Sequence, residues 1–170
     1  EDRVGGCGGS PPGDVTLADL HYIIQIAMGW TDSHLHRFFV GQVRYGEPHP
    51  NYGLEMQDEQ LVTLGQIAPR EGFRFRYEYD CGGWVHTVLV EKIIEPEPGH
   101  RYPMCIKGRR ASPPENMGSA RMYAYFLETL RNPEHPEYPG NDEFPEWVGG
   151  EFDLEEFDLE ETNEILRKLR

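Results

Sequence analysis

The chain has 170 residues, a formal net charge of −14 and three cysteines. No apolar run approaches the roughly 20 residues of a membrane-spanning helix, and there is no hydrophobic core of a signal peptide. An odd, widely spaced set of cysteines argues against a disulfide-rich secreted domain. Length and composition therefore predict one cytoplasmic domain, large enough to bury a core.

Negative charge is concentrated near the C-terminal end. Residues 134–170 hold 13 acidic and 3 basic side chains, which leaves a balance of only −4 for the other 133 residues. Non-specific nucleic-acid binding depends on clustered Lys and Arg that release counterions, so the whole-chain charge disfavours it. A small basic patch is expected to be a solvated loop; it comprises Arg101, Lys107, Arg109 and Arg110.

The N-terminal segment differs in composition from the rest. Residues 1–13 contain five glycines and two prolines without apolar periodicity. Such a segment is predicted to be disordered, or a poor substitute for a missing edge strand. Residues 14–170 are predicted to form a single domain with an acidic C-terminal part.

The first predicted helix covers residues 17–28, where apolar side chains recur at helical spacing. Thr16 and Asp19 resemble a capping box at its start, and Gly29 ends it. Trp30 is expected to pack this helix against the sheet.

A strand is predicted at residues 33–40, with residues 42–45 as its hairpin partner through Gly41. Residues 60–67 are predicted to be a short helix or turn. Three of their apolar side chains are expected to point inward, namely Leu61, Leu64 and Ile67.

The sheet is predicted to centre on a hairpin at residues 73–94. In its first strand aromatic and charged residues alternate, which is typical of a sheet with one buried face. A two-residue turn at 82–83 would place Tyr79 opposite His86, whereas a three-residue turn slips the pairing by one and matches the side chains less well. The aromatic face is expected to be core, and no basic–aromatic sheet of the RNA-binding kind is expected.

Two more helices are predicted, at residues 119–131 and 159–169. The first has apolar residues at helical spacing, and the second runs from an acidic start to a basic end, as the helix dipole favours. Between them, residues 134–150 are expected to be surface chain anchored by Phe144 and Trp147.

These elements predict an α+β fold. An antiparallel sheet built around the hairpin at about 73–94 is covered by two to three helices, at about 17–28, 119–131 and 159–169.

Four segments, taken in order, carry a resemblance to a known family: TLADLHYIIQIAMGWTDSHLHRF, YEYDCGGWVHTVLVEKI, YPMCIKGRRASPPENMG and the helix ending in LRNPEHPEY. Together they resemble the plasmid pRiA4b Orf-three-like family over about Val15–Leu169. The resemblance implies a compact α+β fold and an association with plasmids and mobile elements, because the family is similar to passenger proteins of some insertion elements. It implies no particular biochemical activity.

The chain departs from the family pattern at several places. The usual N-terminal strand is replaced by residues 1–13, and the hairpin turn at 80–83 is one residue shorter and lacks a second acid. The family's Pro-Pro-Glu-Asp becomes Pro-Pro-Glu-Asn at 113–116, and Ser112 and Met117 stand where cysteines are often found. Each change removes polar or ligating groups. Besides an interaction domain and an enzyme, a third hypothesis is a decayed copy of the gene, in which the lost strand leaves an exposed sheet edge.

A metal site is a minor alternative. His34 and His36 lie two apart on a predicted strand, and His21 or His86 could approach them, with Glu115 completing the three or four ligands that zinc or iron requires. The competing interpretation is hydrogen-bonding histidines at the margin of the sheet. No strong ligand spacing is present, so no cofactor is predicted, and a divalent metal is the lesser possibility.

Acid–base chemistry is a second possibility, with Asp80, His86 and Glu115 as the catalytic candidates. The favoured alternative is that Asp80 caps the turn and Glu115 accepts backbone N–H groups or pairs with an arginine. Cys105 could act as a nucleophile beside a histidine, but a small buried hydrophobic role is more common for cysteine.

The leading hypothesis is a non-enzymatic accessory or interaction domain whose partner is a protein or DNA linked to a plasmid or mobile element. Its contact surface is predicted to comprise Arg109, Arg110, Pro113, Pro114 and Glu115. The alternative is a small metal-dependent or acid–base hydrolase using a His/Asp/Glu cluster.

Overall fold

The computed structural model describes residues 8–9, 14–48, 56–136, 153 and 155–169. A 3-10 turn covers Glu59–Leu61. The other elements are, in chain order, β1 (Gly8–Gly9), α1 (Leu17–Met28), β2 (His36–Val40), β3 (Val43–Gly46), β4 (Gln57–Asp58), α2 (Leu64–Ile67), β5 (Arg74–Tyr79), β6 (Trp84–Leu89), β7 (Cys105–Lys107), α3 (Ala120–Arg131) and α4 (Leu159–Leu166).

The fold is α+β, as predicted. A five-stranded sheet has the order β4-β3-β2-β5-β6, and β1 pairs with β7 in a separate ribbon. Pairing is antiparallel throughout the larger sheet except between β3 and β4, which are parallel. The sheet is therefore mixed at one edge rather than wholly antiparallel.

Helix α1 forms as its sequence predicts. The Asp19 N–H donates to Thr16 Oγ1 at 3.1 Å and the Thr16 N–H donates to the Asp19 carboxylate at 3.3 Å, which completes the capping box. Gly29 ends the helix at a φ of 66°, a left-handed conformation that glycine adopts without a steric cost. Trp30 is buried and stacks on Tyr79 at 4.9 Å, so it packs the helix against the sheet.

The predicted register of the central hairpin is wrong by two residues. Tyr79 lies opposite Trp84 rather than His86, and His86 lies opposite Tyr77. The predicted two-residue turn is replaced by the four-residue turn 80–83. A slip of two residues keeps every side chain on its predicted face, because side chains alternate with period two.

The backbone of the turn explains the longer connection. Asp80 and Cys81 adopt φ values of 53° and 52°, and the Gly83 N–H donates to the Asp80 carbonyl at 2.8 Å. Aspartate tolerates the left-handed region better than most residues, so the turn begins at Asp80 and is not restricted to the two glycines.

The aromatic face of the hairpin is interior, as predicted. Phe75 and Tyr77 are 4% and 0% exposed, and Val88 packs against the same core. The buried hydrophobic core extends from there to both sheet and helices and includes Leu17, Leu20, Met28, Trp30, Phe38, Tyr45, Trp84 and Tyr123.

Helix α3 closes the core at the start of β6, where the Tyr123 ring meets Trp84 edge-on at 6.3 Å. Helix α4 packs on α1 and β7. The Leu61 side chain, which was expected to point inward, is 77% exposed, and Met122 on α3 is 55% exposed. Both lie next to the buried stripe of their turn or helix rather than within it.

Some predictions fall partly outside the described residues. Of residues 1–13 the structure describes Gly8–Gly9, which pair with β7. Of residues 134–150 it describes the first three, and Phe144 and Trp147 lie outside.

Cysteine chemistry differs from the expectation. Cys105 is disulfide-bonded, so this residue has no free thiol for the nucleophilic role considered from the sequence. Cys81 is an exposed free cysteine. Within the described ranges, no helix has both the length and the apolar character needed to cross a membrane.

Candidate functional site

A closed ring of hydrogen bonds joins α1 to the centre of the sheet. His21 is 1% exposed; its Nδ1 lies 2.8 Å from the Tyr77 hydroxyl and its Nε2 lies 2.8 Å from Asp32 Oδ1. Gln25 donates from Nε2 to the same hydroxyl at 3.1 Å and accepts the Asp32 N–H at 2.9 Å. Four polar groups are thus satisfied by one another beneath the helix.

The ring determines where its protons lie. Because Gln25 donates to Tyr77, the phenol can donate in turn to His21 Nδ1, and the Nε2–H of His21 then donates to Asp32. Burial, followed by the neighbouring His36, lowers the pKa of His21. Burial also raises the pKa of Tyr77, so both side chains are neutral near pH 7.

A second histidine lies against the first. The rings of His21 and His36 stack at 3.4 Å with an interplanar angle of 6°. His36 Nε2 lies 2.9 Å from Oε2 of Glu59, a residue that is 5% exposed. Two imidazoles and two carboxylates therefore meet where α1, β2 and the 3-10 turn come together.

Glu115 attaches the Pro-Pro-Glu loop to the end of the sheet. It accepts hydrogen bonds from the N–H and hydroxyl of Thr31, the N–H of Ser33 and the hydroxyl of Tyr79. Burial opposes ionisation of this carboxyl, but the hydrogen bonds outweigh it and lower its pKa. Burial and the bond to Glu115 raise the pKa of Tyr79.

The other predicted chemical residues lie in separate environments. His34 lies 3.4 Å from Asp80 and 3.0 Å from Asn116, beside the hairpin turn. His86 lies under Trp30 with ring centroids 5.5 Å apart, and its Nδ1 is buried without a hydrogen-bond partner among the described residues. Burial lowers the pKa of His86 to about 4.

The structure thus brings His34 and Asp80 together and places His36 with His21 instead. A single cluster of the predicted catalytic candidates does not form in the described part of the chain. Their roles stay predictions.

The predicted contact surface is partly interior. Pro113 is fully buried, and its carbonyl accepts the Trp30 indole N–H at 2.8 Å. Arg109 is exposed, whereas Arg110 is half-buried and lies 3.4 Å from Glu155. Pro113 and Pro114 line a hollow of about 460 Å³ between the end of α1 and the start of α4.

The outer face of the sheet carries a basic–aromatic cluster, although the sequence predicted no basic–aromatic sheet of the RNA-binding kind. Phe39 lies directly between Arg44 on β3 and Arg76 on β5. The guanidinium carbons of Arg37, Arg44 and Arg76 lie 5.6, 5.9 and 4.3 Å from the Phe39 ring centroid. These distances are typical of cation–π contacts. We call Arg37, Phe39, Arg44, Arg74 and Arg76 the arginine face.

Sequence reasoning named His21 only as a possible additional metal ligand and missed its polar partners Gln25, Asp32 and Glu59. His21 and Gln25 lie four apart within α1 and share its buried stripe with Leu17 and Met28. That spacing was the available signal, because polar residues on a buried helical stripe need internal partners. The partners Asp32 and Glu59 carry no such periodic signal.

Comparisons with known proteins agree with this fold. Residues 11–161 match the family described as "Plasmid pRiA4b ORF-3-like protein". An uncharacterised protein of Sinorhizobium fredii, y4hQ, is 35% identical over 140 residues, which cover 81% of this chain and 70% of the relative. The crystal structure of MM3350, a Methanosarcina mazei protein of unknown function, has a TM-score of 0.72 at 32% identity, covering 88% of this chain and 84% of that one.

Proposed function

We propose that this chain, a member of the plasmid pRiA4b ORF-3-like family, is a non-enzymatic interaction domain that binds single-stranded nucleic acid on the arginine face. One observation carries the proposal. In a protein of net charge −14, the outer side of the sheet presents three arginines around one phenylalanine, with Arg74 lining a hollow beside it.

The charge of this face favours an anionic partner. Across β2, β3, β5 and β6 the one outward-facing acid is Glu78, which pairs with Arg37 at 3.1 Å and Arg76 at 3.2 Å. Arg44 and Arg74 are exposed, and no acidic side chain of the described residues pairs with either of them. Four guanidinium groups against one carboxylate leave a local excess of positive charge, suited to bidentate contacts with phosphate oxygens.

The arrangement around Phe39 favours unpaired bases over a duplex. The guanidinium carbon of Arg76 lies closest to the Phe39 ring, at 4.3 Å from its centroid. This contact with the ring holds the planar guanidinium group in place. Bases of single strands stack on such planes and on aromatic rings, whereas bases in a duplex are already stacked. Beside the ring, a shallow hollow of about 330 Å³ is lined by Phe39, Gly41, Arg74, Phe75, Arg76 and Thr87.

The proposed surface is open to solvent. Arg76 has a side chain 49% exposed, and Val85 and Leu89 on β6 are 56% and 38% exposed. Helix α1 packs on the opposite face, where the aromatic core lies. No described residue covers the arginine face.

Hydrolysis is the less favoured alternative. Both oxygens of Glu115 already accept hydrogen bonds from backbone and side chains, so this carboxylate serves to hold the loop. His34 with Asp80, at 3.4 Å, is the pair that best supports acid–base chemistry. The proposal includes a cytoplasmic location, where plasmid DNA is found, although the Cys105 disulfide favours an oxidising one.

The test is fluorescence anisotropy of a labelled 20-nucleotide oligothymidine and of a duplex of the same length, each at two salt concentrations. We expect the single strand to bind more tightly. Its affinity should decrease with salt, because each phosphate contact contributes a slope of about 0.7 in log K against log salt. The double variant Arg44→Glu/Arg76→Glu should abolish binding, and Phe39→Leu should weaken it.

Arg109→Glu is the matched control, because Arg109 is exposed but lies outside the arginine face. Loss of binding in Arg109→Glu with retention in the double variant would transfer the site to the loop at 109–115. Absence of binding at the lowest ionic strength, with the protein folded by circular dichroism, would reject the proposal.

A further inference from the structure

We propose that His21, Asp32 and His36 form a binding site for one divalent transition-metal ion, with Glu59 as a fourth ligand. The site lies on the inner side of the sheet, opposite the arginine face, and is independent of nucleic-acid binding. It differs from the metal site that the sequence suggested, since it shares His36 and the approaching His21 with that set but contains neither His34 nor Glu115.

The distances support a single ion. One ligand atom each from His21, Asp32 and His36 lie within 4.8 Å of one another. Ligand atoms around tetrahedral zinc, at about 2.0–2.2 Å from the ion, are about 3.4 Å apart. The ligand atoms of His21, Asp32 and His36 therefore need to move closer to one another by about an ångström to bind one ion. Two imidazoles with carboxylates suit zinc, manganese, iron or nickel.

The charges also support a cation. Glu59 is 5% exposed and contacts His36, whereas Asp32 contacts His21. The two acids are therefore connected through the stacked rings of His21 and His36. Among the described residues neither acid pairs with a lysine or an arginine. A buried carboxylate such as that of Glu59 is normally paired or bound to a metal, and a doubly charged ion would neutralise it together with the more exposed Asp32.

The surrounding residues resemble the outer shell of a metal site. Tyr77 contacts His21 Nδ1, which leaves Nε2 directed at the cluster, and Gln25 holds the backbone of Asp32. When Nε2 binds an ion, the proton moves to Nδ1 and the Tyr77 hydroxyl becomes its acceptor. Ligating histidines usually have such a second partner on the other ring nitrogen.

Metal binding requires one rearrangement. The rings of His21 and His36 are nearly parallel, and an ion binds in the plane of an imidazole, so one ring must turn. His36 is the one free to do so, because His21 is held at both nitrogens. The Asp32 side chain is 39% exposed and gives the ion a path from solvent.

The test uses the 170-residue chain in a Cys81→Ser background, which removes the exposed thiol as a competing ligand. After chelator treatment, the protein is titrated with Zn²⁺ by calorimetry and with Co²⁺ by visible absorbance. We expect one ion per chain, the d–d bands of bound Co²⁺ and a Tm that rises with Zn²⁺ concentration. His36→Ala and Asp32→Asn should each weaken binding by roughly 10-fold or more.

His34→Ala and His100→Ala are the controls, because both histidines lie outside the cluster. They should bind the ion as the parent does, and circular dichroism verifies that every variant is folded. The proposal is overturned if the parent binds no stoichiometric ion. It is equally overturned if binding survives in both His36→Ala and Asp32→Asn.

Discussion

The phenol of Tyr79 donates to the carboxylate of Glu115 and so joins the last residue of β5 to the Pro-Pro-Glu loop. The same hydroxyl accepts the backbone N–H groups of Ser33 at 2.9 Å and His34 at 3.2 Å. One side chain thus connects three segments that are far apart in the chain.

Replacing Tyr79 by Phe should therefore destabilise the protein by about 1–3 kcal/mol, because a hydrogen bond to a charged group and two backbone contacts are lost. Urea denaturation measures the change. Tyr22→Phe is the control, since Tyr22 is 48% exposed and should change stability little. A loss in Tyr79→Phe no larger than in the control would contradict this role.

The hairpin turn packs closely against the loop before α3. A Cβ at Gly83 would lie 2.1 Å from the Gly118 carbonyl oxygen, so Gly83→Ala must displace backbone. We expect a cost of at least about 3 kcal/mol. At Gly82, with a φ of 87°, a Cβ would lie 3.7 Å from an oxygen of the flexible Glu78 side chain, and Gly82→Ala should cost only about 1–2 kcal/mol of backbone strain. Thermal unfolding of the two variants compares these costs, and equal costs would count against the close approach.

Stability should depend on pH through His86. Burial lowers its pKa from 6.5 to about 4, so the unfolded chain takes up a proton at a higher pH than the folded chain. Stability is therefore full above about pH 6.5 and falls between there and pH 4, by on the order of 3 kcal/mol. His86→Gln should flatten the curve of unfolding free energy against pH in this window. Some slope should remain, because the pKa of His21 is lowered too. An unchanged slope would show that His86 is not the titrating group.

The register of the hairpin can be tested by cross-linking. Arg76 lies opposite Thr87, whereas a two-residue turn would place it opposite Leu89. In a Cys81→Ser background, the pair Arg76→Cys/Thr87→Cys should oxidise readily, because directly opposed Cα atoms lie about 4.5–5.5 Å apart. The pair Arg76→Cys/Leu89→Cys should not. Peptide mapping by mass spectrometry identifies the bond, and preferential closure of the second pair would restore the shorter turn.

Local sequence was sufficient for the elements with strong periodicity and clear ends. Helix α1 begins at its Thr16 capping box and ends at Gly29, as predicted. The alternation of Phe75 and Tyr77 with arginines also identified the buried face of β5. Such patterns arise from contacts between residues a few positions apart, so the sequence displays them directly.

Register and sites depended on distant contacts. The turn at 80–83 packs against Gly118, and the hydrophobic periodicity of the sequence carries no information about that contact. The same holds for the polar cluster, because His21 meets His36 and Tyr77 only after α1 has docked on the sheet. Phe39 and Arg76 likewise become neighbours only through strand pairing. The amino-acid sequence alone therefore determined which faces are buried, and the tertiary structure decided which residues meet, because that depends on how separate elements pack.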